Sequence, residues 1–356
     1  MSPTPRSASV VVPCYNYARF VGAAIESALG QSRSFREVIV VEDGSTDGSR
    51  SVIERYGDRV RAVFKENGGQ ASAFNAGCRL ARGDVVFLLD ADDELCPEAV
   101  DTVLAAWRPG TVLLQSRPSL MDTEGRALPG VVPGPHVRLA EGDVRQQMVE
   151  TGDLRVTVTS GLVVRRDALE RVMPIPEERF RQGADAYVSR AVAFQGELQA
   201  LDRPLSRYRR HGKNDTDIGV SPLQVAVAFR KRAALMQNEL WTIREFARQQ
   251  GLEVAEDLGE HNPDLLFLRL GSLVADPPGH SIPGDSRLGL LARILASSRA
   301  IPPGTASRAR ISLLATALAI LPGRLGVRPL AWSLSPATRP RWLAGLSAWR
   351  RRLSGT

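Results

Sequence analysis

The amino-acid sequence predicts an α/β chain: a mostly parallel sheet flanked by helices, followed by a helical C-terminal extension. Three observations lead there. Over the first hundred residues apolar runs alternate with segments of helical period; the apolar runs are continuous; and a polar cluster follows most of them. Continuous apolar runs mark strands covered on both faces. In such sheets ligands bind beyond the carboxyl ends of the strands, so the chemistry is sought in those clusters.

The first strand is Val10-Val11-Val12, ending at Pro13. Phe20, Val21, Ala24, Ile25, Ala28 and Leu29 then recur at helical spacing and predict a helix packed on the sheet. Val38 to Val41 forms the second strand, the region from Val60 to Phe64 the third, and Val85 to Leu89 the fourth. Further on, a strand is expected at Gly161 to Val164, a helix from Asp185 to Phe194, and an extended stretch ending in Tyr208-Arg209-Arg210-His211-Gly212. Beyond Ser221 the pattern turns helical, with Leu223 to Gln250 the longest segment and breaks at Pro277-Pro278-Gly279 and Pro302-Pro303-Gly304. Residues 1–220 are therefore expected to form a catalytic domain and 221–356 a helical, Arg-rich extension. A length of 356 residues is long for one core.

Composition narrows the class. Hydrophobic residues at 43% and charged residues at 24% fit a globular chain and argue against a disordered or membrane-spanning one. Met1 to Ser9 lacks the apolar stretch of a secretory signal, so a cytoplasmic protein is expected. Cys14, Cys78 and Cys96 lack zinc or redox spacing and read as reduced, mostly buried thiols. Of the net charge of +7, 12 positive charges lie in Arg287 to Thr356, which holds no Asp, Glu or Lys; residues 1–286 are left at −5. A basic balance confined to one end points to an anionic surface met by that end and not to nucleic acid.

The polar clusters each admit two readings. Asp90-x-Asp92 sends two carboxylates off a buried strand: they suit a hard cation shared with a diphosphate, or they are a solvated acidic turn before a helix. In Glu42-Asp43-Gly44-Ser45, Asp43 is placed to accept from a base or ribose; turn chemistry with Thr46 or Asp47 capping a helix selects the same residues. Asn67-Gly68-Gly69-Gln70 and Asn75-Ala76-Gly77 let backbone approach a ligand, or are plain loop signals.

Taken in order, Val10-Val-Val-Pro-Cys-Tyr-Asn16, Val41-Glu-Asp-Gly-Ser-Thr-Asp47, Asn75-Ala-Gly77, Gly83-Asp84 and Leu89-Asp-Ala-Asp-Asp93 resemble the inverting family 2 glycosyltransferases of the GT-A fold. The match covers about residues 8 to 215. The resemblance implies that Pro13 and Tyr15 line the nucleotide pocket, that Asp43 contacts the base, that Asp90 lies at the ribose and that Asp92 holds a divalent metal, Mg²⁺ or Mn²⁺. It also implies that Asp185 is the general base. Where the family typically shows Glu-Asp, this chain has Ala184-Asp185; the rival role for Asp185 is that of a helix cap. The stretch from Tyr208 to Asn214 resembles a loop closing over the donor, in which His211 completes the metal shell or touches the diphosphate while Arg209, Arg210 or Lys213 offsets its charge. His136, His261 and His280 have no such context.

The expected activity is metal-dependent, inverting transfer of a sugar from a nucleotide diphosphate donor to a saccharide or lipid-linked acceptor hydroxyl, in surface polysaccharide or glycoconjugate synthesis. The alternative is a noncatalytic nucleotide-sugar-binding or scaffold protein. Pro13-Cys14-Tyr15-Asn16 is not the Gly-rich phosphate loop of a nucleotidyltransferase, and Asp93-Glu94 lacks the hydroxyl residue expected in an Asp-x-Asp phosphatase. At the far end, Ile311 to Leu321 is 11 residues long, against about 20 needed to span a bilayer. Trp342, Leu343, Leu346, Trp349 and Leu353 fall at helical spacing beside Arg341, Arg350, Arg351 and Arg352. That pattern suits an interfacial helix on an anionic membrane, or a helix packed on the acidic catalytic domain.

Overall fold

The computed structural model describes residues 4–211, 222–260, 262–280 and 282–297, with 315, 316 and 318. The strands and helices expected before residue 100 are present, with ends shifted by a residue or a few: β1 (Ala8–Cys14), α1 (Val21–Leu29), β2 (Glu37–Asp43), α2 (Ser49–Glu54), β3 (Arg61–Lys65), α3 (Gln70–Cys78) and β4 (Val85–Leu88); a two-residue strand, β5 (Glu94–Leu95), was not expected. Then follow α4 (Ala99–Ala106), β6 (Thr111–Ser116), β7 (Ser119–Met121), β8 (Ala127–Val131), α5 (Arg145–Thr151), β9 (Leu162–Arg165), α6 (Arg166–Val172), α7 (Ala184–Ala193), β10 (Glu197–Leu201) and β11 (Ser206–Arg209). The later helices are α8 (Pro222–Gln249), α9 (Pro263–Ala275) and α10 (Arg287–Ser297).

Seven strands form the main sheet in the order β10-β6-β9-β4-β1-β2-β3. All neighbours are parallel except β9, which runs antiparallel between β4 and β6. β1 lies at the centre of its parallel part, paired with β2 and β4, and its valines are wholly buried. Successive side chains point to opposite faces. Val10 and Val12 therefore join the core with Ala24, Ile25 and Ala28 of α1, while Val11 faces α3. There a Cβ on Gly77 would stand 2.4 Å from Val11 Cγ1. Gly77 is thus required for helix-on-sheet packing; the expected approach of this backbone to a ligand is corrected. The neighbouring Asn75 is also structural: its Oδ1 accepts from Ile175 N at 2.8 Å and its Nδ2 donates to Ile175 O at 2.9 Å. Gly83-Asp84 anchors the chain start, since Asp84 Oδ2 accepts from the Arg6 and Ser7 amides at 2.8 and 3.0 Å.

A second sheet, β5-β11-β7-β8, was not legible as such in the sequence. Its two-residue β5 is too short to show a period, and β8, ALPGV, carries both Pro and Gly. The cysteines are free; burial pushes the Cys14 and Cys78 thiols up to about 12, so both stay protonated.

The chain divides into two compact units, residues 1–211 with 238–255, and 212–237 with 256–356. Within the second, a Cβ on Gly271 of α9 would meet the Phe229 ring at 2.2 Å, so the two helices pack at glycine-only distance. His280 is held there between Ser272 Oγ at 3.1 Å and Asp285 Oδ2 at 3.0 Å, and Arg269 pairs with the same Asp285. No helix among the described residues is long and apolar enough to cross a membrane. The expected interfacial helix from Pro340, the apolar run Ile311 to Leu321 and Lys213 lie outside the described residues, apart from residues 315, 316 and 318 of that run.

Candidate active site

The loops after β1 and β2 are bound into one lip. Asn16 adopts φ 59°, a left-handed conformation that Asn tolerates better than most residues. This lets its amide donate to Ser45 Oγ at 2.9 Å while its Oδ1 accepts from Thr46 N at 2.8 Å. Asp47 bridges further, accepting from Ala18 N at 3.0 Å and from Ser49 N at 2.9 Å, so it also caps the start of α2. Pro13 is half-buried on this lip and Tyr15 is 45% exposed.

Asp43, at the end of β2, is buried and bonded by its own chain. Lys65 Nζ lies 2.7 Å and the Gly68 amide 3.0 Å from Oδ1, and the Gly69 amide donates to Oδ2 at 2.7 Å. The glycines at 68 and 69 serve approach to protein: a Cβ on Gly69, whose φ is +88°, would sit 2.5 Å from Arg181 O.

Asp90, Asp92 and Asp93 leave the carboxyl end of β4 together. Asp90 is half-buried and its amide donates to Ser160 Oγ at 3.1 Å. His211 Nε2 lies 2.9 Å from Asp92 Oδ2, with the ring stacked on Phe20 at 5.2 Å. The antiparallel pairing of β11 with β5, Ser206 opposite Leu95 and Arg207 opposite Glu94, carries residues 209–211 back along this acidic loop. Burial, followed by the charges of Asp92 and Asp90, raises the Asp93 carboxyl well above the ordinary range.

Arg209, expected at the diphosphate, is placed elsewhere. Its side chain is buried and its guanidinium bonds Glu94, the Asp92 carbonyl at 2.8 Å and the Thr123 carbonyl at 3.2 Å, while its amide donates to Asp93 Oδ1 at 2.8 Å. The acidic loop offers carbonyls and carboxylates that a planar five-donor group satisfies, which explains why the cation turns inward. Glu94 is also paired with Arg207. Arg210 is exposed.

Asp185 stands in the first turn of α7. Burial raises its carboxyl above the ordinary range, opposed by the Arg190 charge, by the amides of Ala186 and Asp185, and by the Thr159 hydroxyl. Thr159 and Ser160 are consecutive in a 3-10 turn, Thr159–Gly161, just before β9. One turn therefore touches Asp185 through Thr159 and the acidic loop through Ser160. Neither residue carried a signal in the sequence, nor did Glu94; nothing local marks a hydroxyl whose partner is far along the chain.

The donor set suits a hard divalent cation in part. Two ligands about 2.1 Å from a shared octahedral ion stand about 3 Å apart, close to the 2.9 Å between Asp92 Oδ2 and His211 Nε2. Among the described residues no group of three or more His, Cys, Asp or Glu side chains forms a metal cage. An ion here would take its remaining ligands from diphosphate and water, as Mg²⁺ commonly does.

A central parallel sheet with lips and acidic groups gathered at its carboxyl edge is the arrangement in which α/β proteins place their ligand sites. The family model described as glycosyl transferase family 2 matches residues 9–173. An uncharacterized glycosyltransferase of Nostoc sp. is 34% identical over 260 residues, which cover 71% of this chain and 79% of that relative. A chondroitin synthase of Pasteurella multocida is 43% identical over 99 residues, 27% of this chain and 10% of that protein. Among solved structures, S. aureus TarS 1-349 in complex with UDP-GlcNAc aligns at a TM-score of 0.51 and 17% identity over 92% of this chain and 91% of that one, a likeness of fold. The chain belongs to glycosyl transferase family 2 and is a glycosyltransferase of the GT-A fold.

Proposed function

We propose that the protein transfers a sugar from a nucleoside diphosphate donor to an acceptor hydroxyl in one metal-assisted, inverting displacement. The observation that carries this reading is the Thr159-Ser160 turn, which ties Asp185 to the loop where Asp92 meets His211. Asp92 and His211 would hold Mg²⁺ or Mn²⁺. When bound, such an ion offsets the negative charge that develops on the departing diphosphate.

Asp185 takes the proton from the acceptor hydroxyl as its oxygen bonds the anomeric carbon and the bond to the diphosphate breaks with its electron pair. A carboxyl raised by burial suits that role better than one at its ordinary value. A single in-line displacement inverts the anomeric centre. Pro13, Tyr15 and Asp90 line the donor pocket, and Asp43 acts on it through the 67–69 loop whose amides it accepts. Arg209 positions the acidic loop, leaving Lys213 and the exposed Arg210 to offset diphosphate charge. Screening UDP-, GDP- and dTDP-sugars for those that raise the melting temperature in the presence of Mn²⁺, then assaying each for nucleotide release, tests the reading. Stabilisation by none of them would overturn it.

Residues 1–220 carry catalysis in this reading, and the Arg-rich end docks on the anionic cytoplasmic face of a membrane. A saccharide or lipid-linked acceptor used in surface polysaccharide or glycoconjugate synthesis would be met there.

A further inference from the structure

Helix α7 starts without a cap of its own. Its N-cap position is Gly183, in a left-handed conformation at φ 76°, and no side chain of that segment bonds the first amides. Unsatisfied amides at a helix start draw the nearest acceptor, and the nearest anion in sequence is Asp185. The Ala186 amide is satisfied by the backbone, donating to Gly183 O at 3.0 Å. The two amides upstream are taken instead by a residue 113 positions away: Gln70 Oε1 accepts from Gly183 N at 2.9 Å and from Ala184 N at 3.0 Å. Gln70 is itself the first residue of α3, and its own amide donates to Arg181 O at 2.8 Å. The contact is close enough to demand Gly69, and it leads straight into the loop held by Asp43.

We infer that Gln70 is a positioning residue for Asp185: by capping α7 from a neighbouring helix, it keeps the Asp185 carboxylate from being consumed as that helix's cap. This rests on the reading of Asp185 as the base. The other groups facing Asp185 are Arg190 on its own helix, Glu239 of α8, which pairs with Arg190 at 2.8 Å, and the Thr159 hydroxyl. None of them reaches the two amides that Gln70 holds. A nonpolar side chain at position 70 would free those amides to recruit the carboxylate, which then becomes a better-solvated anion and a weaker base.

The test is a carboxyl NMR titration of the full chain labelled with ¹³C-aspartate, in which the Asp185 signal is the one absent from Asp185→Asn. In Gln70→Leu the Asp185 midpoint is expected to fall by on the order of one pH unit. In Gln70→Glu, which retains the acceptor but brings a second negative charge, it is expected to rise. Donor affinity, read with UDP and Mn²⁺, should be unchanged in both. Midpoints equal to wild type would overturn the inference, as would shifts of the same sign in the two variants. If Gln70→Leu does not fold, Gln70→Glu decides alone: a midpoint equal to wild type overturns the inference. Because this readout needs no turnover, it stands apart from the test of Asp185 as base, which is the transfer rate of Asp185→Asn.

Discussion

His211 Nε2 lies 2.9 Å from Asp92 Oδ2, although 119 residues separate them. The imidazole is stacked on Phe20 and set edge-on to Tyr17, so its orientation is held by packing. The contact is a hydrogen bond, and in the proposed reading an ion would replace its proton and draw both side chains as ligands.

Removal of either ligand is therefore expected to abolish the metal dependence of donor binding. Asp92→Ala should lower transfer on the order of 10²-fold or more, the scale of a lost charge-stabilising group, and His211→Ala should approach it. Calorimetry of UDP binding with and without Mn²⁺, repeated in chelator, checks this. Unchanged binding in chelator would remove the ion from the mechanism.

Asp185→Asn retains shape and loses the proton acceptor. Transfer is expected to drop about 10²- to 10⁴-fold, with donor affinity and melting temperature close to wild type. Normal turnover in this variant would reduce Asp185 to a helix cap and send the search for the base elsewhere.

Arg209 tests the structural half of the site. Its side chain is 4% exposed and pairs with Glu94, which is 13% exposed, so solvent screens the pair little. Arg209→Met leaves several carbonyls without their donor and Glu94 with Arg207 in place of two partners, at a cost of about 3 kcal/mol. Urea unfolding measures it, and Glu94→Gln in the same chain should recover part of the loss. A midpoint within error of wild type would show that the guanidinium contributes no net stability.

Asp93 gives a pH prediction whose sign differs from that of most carboxylates. Its folded-state value is raised, chiefly by burial, so the native state holds its proton more tightly than the unfolded chain. Its contribution is present in acid and lost as pH rises from the ordinary aspartate range through the raised value. Asp93→Asn, which can still accept from the Arg209 amide, should be more stable than wild type at neutral pH and the same or less stable in acid. Urea midpoints across pH, in chelator, check it; parallel curves would overturn it.

The arginine-rich end is tested by vesicle flotation. The full chain should float with phosphatidylglycerol vesicles at low salt and less so at high salt. Replacing Arg341, Arg350, Arg351 and Arg352 by Gln should cost about 1 kcal/mol per charge. Binding indifferent to lipid charge would count against membrane docking.

The sequence by itself determined the sheet's parallel core and the ends where polar groups gather. Val10 to Val12, Val38 to Val41 and Val85 to Leu88 are buried strands because an unbroken apolar run has no face to give to water. The acidic loop after β4 follows from the same local pattern. What only the tertiary structure decided is which side chains meet. Arg209 turning inward and His211 reaching Asp92 both depend on the β5–β11 register, and β5 is two residues long. Gln70 capping α7, and Thr159 with Ser160 joining Asp185 to the acidic loop, depend on helices and turns brought together by burial of apolar faces. Periodicity reports which face of an element is buried, but the partner across the interface is set by the packing of the whole core.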